Sequence, residues 1–358
     1  MTETIRIDPS RLSQFGPATG STFCLVTNPE LADVLEIVPD GPYEDCQTVL
    51  FGPEDRFEDV LAKRIPEPAH VLVVSPHHFF QSPDDDLLGG QRKLMAMACN
   101  STPTSLNVIK HFLGVMERTS AAAQAEFSDG FFEKAEAADS FEYVDLQHGT
   151  RAVLDHLQDG LVWNQQAGPL EWGEQQIVPS GEISVLPIEI TDFHEDLRLP
   201  LEGEITIRGY PILHNGTPSF SRTDQARIHG QLSAMNDHAI KATVEQGRIT
   251  ALEPFHPGAA PAVEMLEHMF AVDSRYRIVW EIGHALNVSL DILPGNHAMN
   301  EVYGGIQGCL HWGLGLTPFT QYHLDIISPY TSVIGGATGD VLLGTPGKPP
   351  VERLATVG

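Results

Sequence analysis

A histidine and an aspartate two positions apart can share a cation if the chain between them is extended, and His323-Leu324-Asp325 presents such a pair. In a strand the two side chains point to the same face, with Cα atoms about 7 Å apart. The triplet alone is weak, because His-x-Asp arises by chance and serves equally well as a structural pair at a strand end. Three more segments carry similar side chains in apolar, glycine-rich surroundings: Pro179-Ser180-Gly181-Glu182, Trp280-Glu281-Ile282-Gly283-His284-Ala285-Leu286-Asn287, and Gly308-Cys309-Leu310-His311-Trp312-Gly313-Leu314-Gly315. Such surroundings are those of a buried polar group, and a buried charge requires a partner or a metal. Glu182, Glu281, His311, His323 and Asp325 are together the hard and borderline donors of a dinuclear zinc, manganese or cobalt site. The plainer readings are a surface turn for Glu182 and a buried Glu281–His311 ion pair, which is costly without a third partner.

Two further residues are candidates for proton transfer. Glu301 precedes Tyr303 and reads either as a general base or as a solvated turn. His284 would stand one turn from Glu281 if the segment were helical, whereas Asn287 argues for a loop. It is a candidate acid–base group, ligand or donor to a ligand.

In order and wording these segments resemble the M29 metallo-aminopeptidases, the aminopeptidase T type, over roughly residues 141–345. Gly181-Glu182, Glu281 with Gly283 and Asn287, His311 with Gly308, Leu314 and Gly315, and the closing His323 and Asp325 match that family's motifs in turn. The resemblance implies a dinuclear hydrolase that removes N-terminal residues from peptides, with these five residues as metal ligands. The 2,5-dihydroxypyridine dioxygenases look like members of the same superfamily and share the wording His323-Leu324-Asp325-Ile326. That relationship implies the alternative of one ferrous ion held by two histidines and an aspartate, here His323, Asp325 and His284. The chain departs from the peptidase pattern in three places. His284 interrupts the usual Gly-Ile-Gly wording, the loop Trp312–Tyr322 is short, and Leu316-Thr317-Pro318 stands where the peptidases carry a tyrosine. Tyr322 and Tyr303 are the nearby tyrosines. A third possibility is a non-catalytic relative that keeps the fold as a binding or scaffold protein in a peptide-tailoring pathway.

The elements that must hold these residues change character along the 358-residue chain. Val71–Val74 reads as a buried strand of a parallel sheet, stopped by Ser75-Pro76. Leu87–Met97 reads as helical, and Asn100-Ser101-Thr102-Pro103 as the cap of a helix over Thr104–Met116. Ser120–Ala138 reads as a solvated helix. Beyond about residue 141, Glu204–Arg208 and Ile240–Val244 alternate with the strand period, between turn signals at Glu202-Gly203, Asn215-Gly216 and Gln246-Gly247. Met265–Phe270 reads as a helix, and Gly335-Gly336, Gly339-Asp340 and Gly344 punctuate a final antiparallel ribbon. The expected architecture is an α/β N-terminal domain, 1–140, joined to a strand-rich α+β C-terminal domain, 141–358, that carries the metal site.

Composition narrows the partners. A formal net charge of −27 argues against nucleic acid and anionic membrane, both of which need clustered Lys and Arg. No stretch approaches the length of a membrane span, and Met1–Arg11 is too polar for a signal peptide. Cys24, Cys46, Cys99 and Cys309 form no zinc-ribbon or disulfide pattern, so a reducing cytoplasm is the expected location. The leading expectation is therefore a cytoplasmic enzyme with two divalent cations per chain, acting on a small peptide or small molecule, with a homodimer among the expected assemblies.

Overall fold

The computed structural model describes residues 4–346, apart from 19, 39–40, 102–103, 189–196, 216–218, 296, 306–307 and 317–318. The Thr102-Pro103 part of the expected cap, Gly216 of the expected turn and the Thr317-Pro318 stretch lie outside the described residues.

Ala69–Val74 is a fully buried strand inside an all-parallel five-stranded sheet. The order is Gln175–Val178, Arg92–Met97, Ala69–Val74, Thr22–Thr27 and Asp45–Leu50. Alternation along these strands serves two helices. Cys24, Val26, Val71 and Val73 pack with Val60 and Leu61 of helix Phe57–Arg64. Leu25, Leu72, Val74 and Met95 pack with Ile109, Phe112 and Leu113 of helix Leu106–Arg118. Ser105 caps that second helix by accepting from Val108 N. The expected helix over Leu87–Met97 is corrected: helix is confined to Asp85–Leu88, and Arg92–Met97 is a buried strand. A short apolar run fits both periods, and here the sheet decided between them. The strand Gln175–Val178 lies far along the chain yet forms the edge of this parallel sheet.

Ile5–Ile7 pairs with Leu35–Ile37 in a small parallel sheet, and the later part of the chain builds two antiparallel sheets, one of seven strands and one of six. Gln246-Gly247, both with positive φ, makes the two-residue turn between Ile240–Glu245 and Arg248–Pro254. Glu202-Gly203 is instead inside the strand Leu201–Ile207. The final ribbon is Ser332–Gly335 against Val341–Leu343. The main core lies between the two sheets: Ile183, Ile282, Leu310, Trp312 and Leu324 of one meet Tyr143, Ala152, Ile205 and Ala242 of the other. Trp312 contacts Tyr143 edge-on at 5.5 Å, and its indole N–H donates to Thr206 O. Helix Ala260–Val272 contributes Leu266 and Met269 to the same cluster. All four thiols are free, and no helix among the described residues is long and apolar enough to cross a membrane.

Candidate metal centre

The six-stranded sheet runs in the order Pro211–Asn215, Tyr322–Pro329, Cys309–Leu314, Val279–Ala285, Glu182–Pro187 and Leu161–Gln166. Residues paired across strands share a face, which gathers the acidic and imidazole side chains on one side of it. Gly283 stands opposite both Ser184 and His311, Gly313 opposite both Glu281 and Asp325, and His214 opposite His323. Two glycines create the room. A Cβ at Gly283 would lie 1.9 Å from His311 Cε1, and one at Gly313 would lie 2.7 Å from Glu281 Cβ. The strand carrying Glu182 is anchored just before its start, where Ser180 O accepts from Gln124 Nε2 (2.9 Å) and Asn287 Nδ2 (2.7 Å).

The result is one continuous cluster. Donor atoms of Glu182, Glu281 and His311 all lie within 4.8 Å of one another, and the same holds for Glu281, His323 and Asp325, and for His214, Glu301 and Asp325. Glu281 is common to the first two groups and Asp325 to the last two. His323 Nε2 is 3.1 Å from Asp325 Oδ1 and 3.5 Å from Glu281 Oε2, while His311 Nε2 is 3.6 Å from Glu182 Oε1 and 3.7 Å from Asp325 Oδ1. The other imidazole nitrogen of His323 is 2.9 Å from Gly315 O, which turns Nε2 toward the carboxylates.

Without a cation the histidines carry the compensating charge. Burial alone would pull them down, but the carboxylates win: Asp325 and Glu182 raise His311 to about 9, and Glu301 and Asp325 raise His214 to about 10. Burial raises Glu182 to about 8, against the pull of His311 and with the help of the neighbouring carboxylates. Asp325 is held well below its usual range, because His323 and His311 outweigh the cost of its burial.

Of the residues singled out by sequence, the structure brings together Glu182, Glu281, His311, His323, Asp325 and Glu301. Glu301 comes from the 3-10 turn Ala298–Val302 and lies 2.6 Å from His214 Nε2. His284 is not brought to the cluster, and the expectation that it ligates or transfers protons there is corrected. It is a strand residue between Gly283 and Ala285, so it projects to the opposite face. There it is fully buried among Phe131, Phe141 and Trp163, with Nδ1 against Ile183 O and Nε2 3.2 Å from Tyr143 Oη. Burial lowers its pKa to about 4, as befits a neutral core histidine. Tyr322 is likewise turned into the core, where it donates to Asp224 Oδ2. Sequence reasoning missed His214. Its strand, Pro-Ile-Leu-His-Asn, has no glycine or carboxylate beside the histidine, and only pairing with the His323 strand reveals it.

The cluster forms one wall of a cavity of about 300 Å³. The opposite wall comes from the carboxyl end of the parallel sheet and the segments after it, with Phe80, Ser82, Met97, Asn100 and Ser101, and from Ile177. This is where open α/β sheets bind ligands.

No protein-family description matches the chain by sequence, and no curated protein does. The fold has solved counterparts. The structure of 2,5-dihydroxypyridine dioxygenase from Pseudomonas putida KT2440 is similar with a TM-score of 0.51 at 13% identity, covering 90% of each chain. Wild-type AmpT from Thermus thermophilus is similar with a TM-score of 0.44 at 13% identity, covering 93% of this chain and 95% of its own. At such identity the first likeness establishes a shared fold, a mixed α/β architecture with several sheets.

Proposed function

We propose that this protein is a metal-dependent hydrolase of peptide or amide bonds, with two divalent cations shared by one cluster and aminopeptidase action as its simplest form. The observation that carries the reading is the shared carboxylate: Glu281 belongs both to the group with Glu182 and His311 and to the group with His323 and Asp325. Glu281 would therefore help to hold both cations. The donor set fits them, since four carboxylates in one small cavity require positive charge, and buried Asp325 Oδ1 has His323 Nε2 at 3.1 Å but no well-aligned hydrogen bond. Glu182 and His311 would hold one cation and His323 with Asp325 the other. Such cations supply Lewis acidity toward a carbonyl and lower the pKa of water.

The chain's own groups do the rest. His214 holds a proton at Nε2 between Glu301 Oε1 (2.6 Å) and Asp325 Oδ2 (3.0 Å), and its Nδ1 is 2.6 Å from Ser101 Oγ. Glu301 accepts a proton from the attacking water, and the His214 imidazolium returns one to the departing amine. The carboxylate-rich wall favours a cationic chain end, so the free α-amino group is part of recognition.

The test is elemental analysis of protein purified without chelator, followed by assays of unblocked and N-acetylated dipeptides with zinc, manganese and cobalt. About two metals per chain and faster cleavage of the unblocked peptide support the reading. A metal-free, folded protein overturns it in favour of a binding or scaffold role. A ferrous ring-cleaving dioxygenase is the second reading, favoured by the fold shared with the dioxygenase structure. His311 and His323 flank Asp325 Oδ1 and supply the two-histidine, one-carboxylate set that His284 cannot. Oxygen uptake with 2,5-dihydroxypyridine and ferrous iron, without peptide cleavage, would put this reading first.

A further inference from the structure

The metal-centre cavity does not end at the metal ligands. Ser82, Ala96 and Ile177 line it and also line a second cavity of about 210 Å³. A water takes up about 30 Å³ in the liquid, so this annex has room for roughly seven of them, enough for a branched aliphatic or an aromatic side chain. Charge is confined to one side of the combined space. Outside the cluster itself, no Asp, Glu, Lys or Arg among the described residues lines either cavity. Phe80, Met97 and Ala98 line the first cavity with Ala96, and Leu94 joins Ala96 and Ile177 in the annex.

The glutamines of the annex offer little to a ligand. Gln175 Nε2 donates to Pro83 O at 2.7 Å, and Gln166 Oε1 accepts from Ile177 N at 2.8 Å. The Oε1 atoms of Gln175 and Gln176 are enclosed by the protein, out of a ligand's reach. Ile177 is different. It pairs in register with Ala96 on the edge strand of the parallel sheet, yet it is 41% exposed where Ala96 is 2% and Leu94 1% exposed. A large aliphatic side chain left open between two cavities gains from being covered by another apolar group.

The chemistry of the cluster says what would cover it. On the hydrolase reading, the amine and the carbonyl of the substrate's N-terminal residue both belong to the metal side. The side chain is the remaining branch at that residue's Cα, and it is left to project toward the uncharged wall and the annex. A charged side chain there would lose water without finding a counter-charge, whereas an apolar one would cover Ile177.

We propose that the annex is the specificity subsite for this side chain, that it selects an apolar one, and that Ile177 decides the choice. The inference rests on the hydrolase reading and deepens it, naming the substrate as a peptide with an apolar N-terminal residue.

The probes are norleucinol, lysinol and alaninol. Each carries the free amine, with a hydroxyl in place of the carbonyl and no bond to hydrolyse, so binding is read without turnover. Norleucinol and lysinol have side chains of similar length and differ in the terminal ammonium, while the alaninol side chain ends at its methyl. Each is titrated calorimetrically into the zinc-loaded protein. Norleucinol is expected to bind about tenfold more tightly than either of the others. Ile177→Asp, at a position already open to solvent, should reverse the order of norleucinol and lysinol. Ile177→Ala, a milder change, should weaken norleucinol by about threefold or more, and keeps the test decisive if the aspartate variant folds poorly. Equal or absent binding of norleucinol and lysinol, or a preference that survives both variants, overturns the subsite. Cleavage of unblocked peptides in that case leaves the hydrolase reading standing. A preference that Ile177→Asp reverses, in a protein that cleaves no peptide with any metal, keeps the subsite and removes the hydrolase reading.

Discussion

The two faces of the six-stranded sheet are built from the same strands and could hardly differ more. One face presents Glu182, Glu281, His311, His323, Asp325 and His214 to a cavity. The other presents Ile183, Ile282, Leu310, Trp312 and Leu324 to the main core. Neighbouring residues have opposite fates: Gly283 makes room for the His311 ring, while His284 is closed in by aromatic rings. A histidine's chemistry in this protein is set by which face it occupies. On the cavity side carboxylates raise its pKa; on the core side burial lowers it.

The contrast is most directly broken by Asp325→Asn. This change keeps volume but removes the carboxylate common to two donor groups. Activity should fall to background and metal content should drop, with the circular dichroism spectrum preserved. Full occupancy and activity in the variant would make Asp325 structural.

A change of pH probes the same face without mutation. Near pH 7 Glu182, at about 8, and His311, at about 9, are mostly protonated in the metal-free protein, and ligation requires both protons to leave. Metal affinity should therefore rise from pH 6 toward 9, by roughly tenfold per unit for each proton displaced. Calorimetry in buffers of different ionisation enthalpy should register proton release; its absence would remove these groups from the ligand set.

On the core face Trp312→Ala should cost about 3–5 kcal/mol of stability through the cavity it leaves. Metal content per folded molecule should stay unchanged, which chemical denaturation and elemental analysis together would establish. The smallest effect belongs to His284→Leu. An apolar side chain of similar size replaces a neutral imidazole, at a cost of about 1–3 kcal/mol for the partners left at Ile183 O and Tyr143 Oη. Activity and metal content should be unchanged; a loss of either would restore His284 to the site.

Much of this arrangement is legible in local spacing. His323 and Asp325, two apart, had to share a face once extended, and Val71–Val74, rich in β-branched residues and stopped by Ser75-Pro76, reads as a buried strand and is one. The glycines beside Glu281 and His311 mark a crowded surface, and the turn at Gln246-Gly247 follows from positive φ. These are properties of a few consecutive residues. Elsewhere, spacing was ambiguous. Arg92–Met97 satisfied a helical pattern and became a strand because two neighbouring strands offered it hydrogen bonds. His284 and His214 were decided by partners distant in sequence: a one-residue difference in strand phase turned His284 to the core, and pairing with the 322–329 strand turned His214 to the cluster. The neighbours that set the protonation of these imidazoles are brought together only by the folded sheet, because a pKa depends on charges and solvent in space and not along the chain.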